Sequence, residues 1–196
     1  MKFIKRCISI LVLASMMIVA CGFLLREKQE PLTSEEVEAA IGVAYKIDPI
    51  PVSNKRVGIS RQIDYIVIHN TANPSSTAQN ERDYLVNEKN TSSTSFNVVV
   101  DDNEIVEAIP VTEVAFHSGT NEGNRKGIGI EVCESGDYTK AEANAARLTA
   151  YLMKKYDLTI DDVKTHHDFS GKDCPRLILD HWDRFIEQVE TYYETL

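Results

Sequence analysis

Between His166 and Pro175 the chain reads HHDFSGKDCP. Two histidines, two aspartates, a lysine and a cysteine stand within ten residues of a chain that has five histidines and four cysteines in all. Imidazole, thiolate and carboxylate are the ligands of zinc, and a catalytic zinc site takes three protein ligands and keeps a fourth position open. His166 and Cys174 are two candidates, because a turn containing Gly171 can bring the thiol back toward the ring. His69, at the end of the apolar run IDYIVIH, is a third. His166 is expected to end the last strand, where His166 and His167 alternate and do not easily share one site. Other chemistry fits the same residues. Cys174 is alternatively a buried thiol, or a nucleophile paired with a histidine, although Pro175 directly after it does not fit a thiol presented by a helix N-terminus. A Cys133–Cys174 disulfide is open in an oxidising location. Spacing alone leaves these readings side by side.

The elements that would position these groups follow from pattern. IDYIVIH (Ile63 to His69) is β-branched and aromatic and reads as a buried strand. A helical period starts at Thr77. SFNVVVDDNEIVEAIP reads as two strands around DDNE, and GIGIEVC (Gly127 to Cys133) as another. Thr139 and Glu142 form a capping-box pattern ahead of a helix with Ala145, Leu148, Leu152 and Met153 on one face. DDVKTHH is a short strand. After Pro175, Leu177, Trp182, Phe185, Val189 and Tyr192 make a helical stripe. This alternation predicts an α/β fold, a mixed central β-sheet flanked by helices.

The chain is acidic, with 30 acidic against 21 basic side chains and a net charge of -9. Without a basic stripe, nucleic acid is not expected as a partner. Residues 1–25 stand apart. MKFIKR supplies three positive charges, and the uncharged CISILVLASMMIVACGFLL follows. Ile8 to Leu25 would span roughly 27 Å as a helix, near the thickness of a hydrocarbon core. The positive end favours the cytoplasm. A signal or membrane-anchor segment is therefore expected, placing the remainder outside the membrane. IVAC (Ile18 to Cys21) is similar to a lipobox, which would make Cys21 a lipidated first residue, whereas the apolar GFLL after it suits a spanning helix. Residues 26–61 read as a tether with one short helix capped by Thr33 and Glu36, then an extended stretch broken by Pro49 and Pro51. Residues 62–196 are the expected compact domain, and a monomer is expected.

YIVIHNTAN, AFHSGT, IGIEVC and HHDFSGKDCP, in this order, resemble the zinc-dependent N-acetylmuramoyl-L-alanine amidases of the amidase-2 type, phage endolysins among them. They are also similar to peptidoglycan recognition proteins. The resemblance covers roughly Ile63 to Val189 and is most specific from His166 to Pro175. It implies Zn2+ held by His69, His166 and Cys174, with His167 outside the ligand set. It implies Glu131 as the catalytic carboxylate and Lys172 as the cation facing the oxyanion, while Asp168 is expected to orient His166 or another site group. Asn70 and His117 are expected to face the substrate, which would be peptidoglycan. Some peptidoglycan recognition proteins have lost the cysteine ligand and only bind, so the alternative is a silent peptidoglycan-binding module. Two positions depart from the family pattern. Phe96 and Asn97 stand where tyrosine or histidine is frequent, and Phe116 stands where tryptophan is common.

Overall fold

The structure, a computed structural model, describes residues 29–196. The expected anchor at residues 1–25 lies outside the described residues. Among those described, no helix is long and apolar enough to cross a membrane.

In chain order the elements are α1 (Ser34–Ile41), β1 (Ala44–Ile47), β2 (Tyr65–Asn70), α2 (Ala78–Leu85), β3 (Val98–Val100), β4 (Glu104–Glu107), α3 (Asn121–Lys126), β5 (Gly127–Val132), α4 (Tyr138–Tyr156), β6 (Val163–Thr165), α5 (His166–Ser170) and α6 (Trp182–Thr195). Six strands form one sheet in the order β1-β4-β3-β5-β2-β6. Among the described strands only the β3–β4 pair is antiparallel, so the sheet is mixed, as the sequence predicts.

Register sorts the strand residues onto two faces. Ile66 and Ile68 of β2 lie beside Ile128 and Ile130 of β5. Val98 and Val100 of β3 continue that row. These side chains form the main core with Val37 and Ile41 of α1, Leu148 and Leu152 of α4, and Phe185 and Val189 of α6. The opposite face is covered by a smaller cluster that includes Ala78 and Leu85 of α2, Val99, Val106 and Cys133. Near-continuous apolar runs in β2 and β5 follow from this two-sided burial.

Two expectations need correction. From Leu32 onward, residues 26–61 are not a tether. Leu32, Val37, Ile41, Val43 and Tyr45 join the main core, and β1 pairs with β4 at the sheet edge. The helix start at Thr33 holds: its hydroxyl accepts the Glu36 N–H at 3.3 Å. The Glu36 side chain is instead used to dock α1 on α4, accepting from Tyr151 Oη at 2.9 Å and pairing with Lys155 at 2.9 Å. The second correction concerns α4, which is capped by Asp137, whose side chain accepts the Lys140 N–H, and not by Thr139. Asp is as good an N-cap as Thr, and the box pattern two residues later misplaced the start.

Candidate metal centre

His69 and Glu131 are direct neighbours across β2 and β5. Adjacent positions on paired strands project to the same side, so both leave the sheet away from the isoleucine core. On the other side of β2, β6 ends at Thr165, and His166 opens α5 instead of ending the strand, because the Thr165 cap starts a helix there. The Thr165 hydroxyl caps this short helix on the Asp168 N–H, and the Asp168 carboxylate returns to the Thr165 N–H at 2.7 Å. Gly171 then ends it at φ +71°, a left-handed conformation that glycine adopts at low cost. The His167 N–H donates to the Cys174 carbonyl at 3.0 Å and closes the loop. Cys174 is thereby returned to His166, as the glycine suggested.

His69 Nδ1 lies 3.1 Å from His166 Nδ1 and 3.7 Å from Cys174 Sγ. All three donor atoms lie within 4.8 Å of one another and all three residues are buried. A tetrahedral zinc ion at ordinary bond lengths separates two nitrogens by roughly 3.3 Å and nitrogen from sulfur by roughly 3.6 Å. The spacing therefore fits zinc. So does the donor chemistry. Burial, then the His117 and His166 rings, hold His69 well below the ordinary histidine range. Burial and then Lys172 bring His166 down to about 4. Both rings are thus neutral and able to coordinate. Burial raises the Cys174 thiol to about 11, and a dication at this point would supply the charge that ionises it. Each donor is also held from behind. His69 Nε2 meets His117 Nδ1 at 2.9 Å, the Ser118 backbone bonds the His166 ring, and the Asn70 backbone bonds Cys174.

Glu131 lies beside His69 in the sheet, and its charge acts on Cys174. Burial first, then the neighbouring Glu81, raises its carboxyl to about 8, against an opposing pull from Lys172. Its Oε2 is enclosed and has no hydrogen-bond partner among the described residues. Lys172 is exposed at the rim, and its charge acts on His69, His166, Glu131 and Cys174 alike.

The structure thus brings His69, His166, Cys174, Glu131 and Lys172 together. It gives other expected residues different work. Asn70, 6% exposed, accepts from the Leu177 N–H at 2.9 Å and donates to Val132 O and Tyr138 Oη. Its amide fastens the segment after Cys174 to β2 and is not free for a ligand. His117, 4% exposed, lies behind His69 and does not line a groove. Asp168 completes the helix cap and does not touch the His166 ring through any hydrogen bond described. His167 is exposed, and its Nδ1 meets the Lys172 carbonyl at 3.1 Å. Cys133 and Cys174 are both free thiols, so no disulfide joins them.

The sequence reading missed the support beneath the site. Asn97 is fully buried; its Oδ1 accepts from the Gly129 N–H and from Arg61, and its amide donates to the carbonyls of Ile109, Pro110 and Glu113. Arg61 falls in the stretch whose pattern reads as a tether. Its guanidinium turns inward onto the carbonyls of Val111, Asn124 and Gly127, and burial lowers it to about 9. One signal was present: Gly127 and Gly129 alternate along β5, which marks a close approach to the strand face.

Comparison with known proteins agrees with this geometry. Residues 59–177 match the family model described as N-acetylmuramoyl-L-alanine amidase. CwlH of Bacillus subtilis (strain 168), named an N-acetylmuramoyl-L-alanine amidase, is 41% identical over 155 residues, which are 76% of this chain and 62% of that protein. XlyA of the same organism, with the same activity in its name, is 43% identical over 145 residues, covering 70% of this chain and 48% of XlyA. The chain thus spans about half to three fifths of the length of these relatives. The solved catalytic domain of XlyA superposes with a TM-score of 0.72 at 40% identity, over 75% of this chain and 99% of that domain. With the match running from just before β2 through the Cys174 loop, the chain belongs to the amidase-2 family of N-acetylmuramoyl-L-alanine amidases.

Proposed function

We propose that this domain hydrolyses the amide between the lactyl group of N-acetylmuramic acid and the L-alanine of the stem peptide in peptidoglycan. The observation that carries the reading is Glu131, a carboxylate with one enclosed, unpartnered oxygen beside a buried His–His–Cys cluster. A silent binding module has no use for such a group, and holding it costs stability.

His69, His166 and Cys174 would hold Zn2+, which when bound supplies Lewis-acid chemistry that acidifies water and polarises a carbonyl. Glu131 Oε2 takes the proton of the attacking water. A cation alongside favours its ionised form and brings it down from about 8 toward neutrality, where a general base works best. The same oxygen then delivers that proton to the leaving amine nitrogen as the carbon–nitrogen bond breaks. The acyl side leaves as a lactyl carboxylate and the peptide as free L-alanine amine. Lys172, exposed at the rim, places its ammonium against the developing oxyanion. Purified peptidoglycan incubated with the zinc-loaded protein should release peptides with free N-terminal L-alanine and leave the glycan chains intact. New reducing ends without free L-alanine would refute the reading.

The place of action belongs to the same proposal. MKFIKR and the uncharged run to Leu25 support a domain held outside the cytoplasmic membrane, where peptidoglycan lies. The N-terminal mass of membrane-extracted protein separates the two anchors. A lipoprotein begins at Cys21 and fails to mature as Cys21→Ala, whereas a spanning helix retains Met1 and tolerates the change.

A further inference from the structure

His117 and Gly129 form an arrangement that catalysis by Glu131 does not use. The His117 ring lies directly on β5. A β-carbon at Gly129 would sit 2.6 Å from the ring. The ring stands edge-on to His69, at 89° with centroids 5.0 Å apart. Each of its nitrogens has one partner, His69 Nε2 at 2.9 Å and the Gly127 carbonyl at 3.0 Å.

The hydrogens along this row follow from what each atom is able to do. A carbonyl oxygen only accepts, so His117 Nε2 carries the hydrogen. A neutral His117 then has a bare lone pair at Nδ1, which must accept, so His69 Nε2 carries the next hydrogen. That leaves His69 Nδ1 bare, and it is Nδ1 that faces His166 and Cys174. The far end is also fixed. The Gly127 carbonyl accepts from Arg61 Nη1 as well as from His117, and Arg61 is tied to Val111 O, Asn124 O and Asn97 Oδ1.

We propose that His117 is a positioning residue for the metal centre: with Gly127 and Arg61 behind it, and Gly129 making room for its ring, it locks His69 in the tautomer that presents Nδ1 to zinc. This rests on zinc binding by His69, His166 and Cys174 but not on any substrate. Outer partners of this kind typically contribute 10–100-fold in metal affinity.

The test reads the metal and the ring and leaves turnover aside. In the zinc-loaded protein with 15N-histidine, long-range proton–nitrogen correlation should show His69 and His117 both protonated at Nε2. A hydrogen on Nδ1 of either ring overturns the proposal. Chelator competition should find zinc bound roughly 10–100-fold more weakly by His117→Phe, which keeps a ring and loses the acceptor. His117→Gln, able to accept from His69 and donate to Gly127, should recover most of that loss. Equal affinity in the wild type and a folded His117→Phe reduces the residue to core filling and overturns the proposal. Should His117→Phe not fold, Gly129→Ala decides, because it displaces the ring without removing it. Unchanged zinc affinity there is equally fatal. Failure of zinc to bind the unaltered protein would instead defeat the reading of the site itself.

Discussion

Glu107 closes β4 and Glu131 lies near the end of β5, and burial raises both carboxyls, to about 6 and about 8. Their surroundings differ. Glu107 accepts from Tyr45 Oη at 2.6 Å and from the Val111 N–H at 3.1 Å, so both oxygens are bound. Glu131 keeps one enclosed oxygen with no hydrogen-bond partner among the described residues. A buried carboxylate with its partners in place ties elements together, here β1 to β4 and to the segment that follows. One left open costs stability that a structural role would not demand, and such groups collect where chemistry is done. The sheet therefore has a sealed end at β1–β4 and an open end at β5–β2–β6. Substitutions matched between the two ends can break that contrast or sharpen it.

The largest contrast is between the two buried thiols. Cys174→Ala should lose zinc, and with it amide hydrolysis should fall to background. Cys133→Ala, two residues beyond Glu131 in the smaller cluster, should keep one zinc and cost ~1 kcal/mol as a small cavity. Metal content by elemental analysis checks both. Full zinc occupancy in Cys174→Ala would remove the ligand assignment.

The carboxylates come next. Glu131→Gln should retain zinc and lose ~10²-fold or more in turnover, while Glu107→Gln should leave turnover near normal. In the metal-free protein Glu131→Gln should also raise stability above neutral pH. A folded-state pKa raised from 4.5 to about 8 means that the native state holds the proton more tightly than the unfolded chain. Stability from this group is present at low pH and is lost as pH rises through that window. Glutamine removes the loss. Urea midpoints at pH 5 and pH 9 check it, and a gain that is the same at both would contradict the cause given.

The open end was far more legible in sequence than its support. His69, His166 and Cys174 are rare residue types at the ends of recognisable strands, and HHDFSGKDCP holds two of them in one loop. Arg61 carries no such mark. A lone arginine beside an extended, proline-broken stretch reads as solvent-facing, and only the fold reveals that four acceptors converge on it. β1 was missed for a related reason. Of Ala44–Ile47 only Tyr45 is buried, so an edge strand of four residues offers no alternation to detect. His117 was recognised as part of a motif, yet which side of His69 it occupies is a matter of packing on Gly129 that spacing does not encode.

At the sealed end Glu107 gives a smaller check of the same sign. Its pKa, raised from 4.5 to about 6, again places full stability below the lower value, with about 2 kcal/mol lost as pH rises through the window. Glu107→Gln should flatten stability between pH 4.5 and pH 6.5 and, unlike Glu131→Gln, do so with turnover intact. A curve as steep as the wild type's would assign that slope to other groups.

The smallest effect tests whether the sealed end is part of the cooperative domain at all. β1 supplies the tyrosine that satisfies Glu107, and α1 carries the chain into β1. If residues 32–47 fold with the rest, a loss at the start of α1 is felt throughout. Thr33→Ala removes the hydroxyl that caps the Glu36 N–H, a change worth ~1 kcal/mol. Trp182 reports from the far side of the core, on α6, where it stacks on Phe185 at 5.4 Å. Its fluorescence midpoint in urea should shift by the same ~1 kcal/mol that circular dichroism records. A shift in helix signal with no shift at Trp182 would mean that α1 and β1 unfold by themselves. The sealed end would then be an appendage after all, as residues 26–61 first suggested, and the Tyr45–Glu107 bond a local contact instead of a seam of the domain.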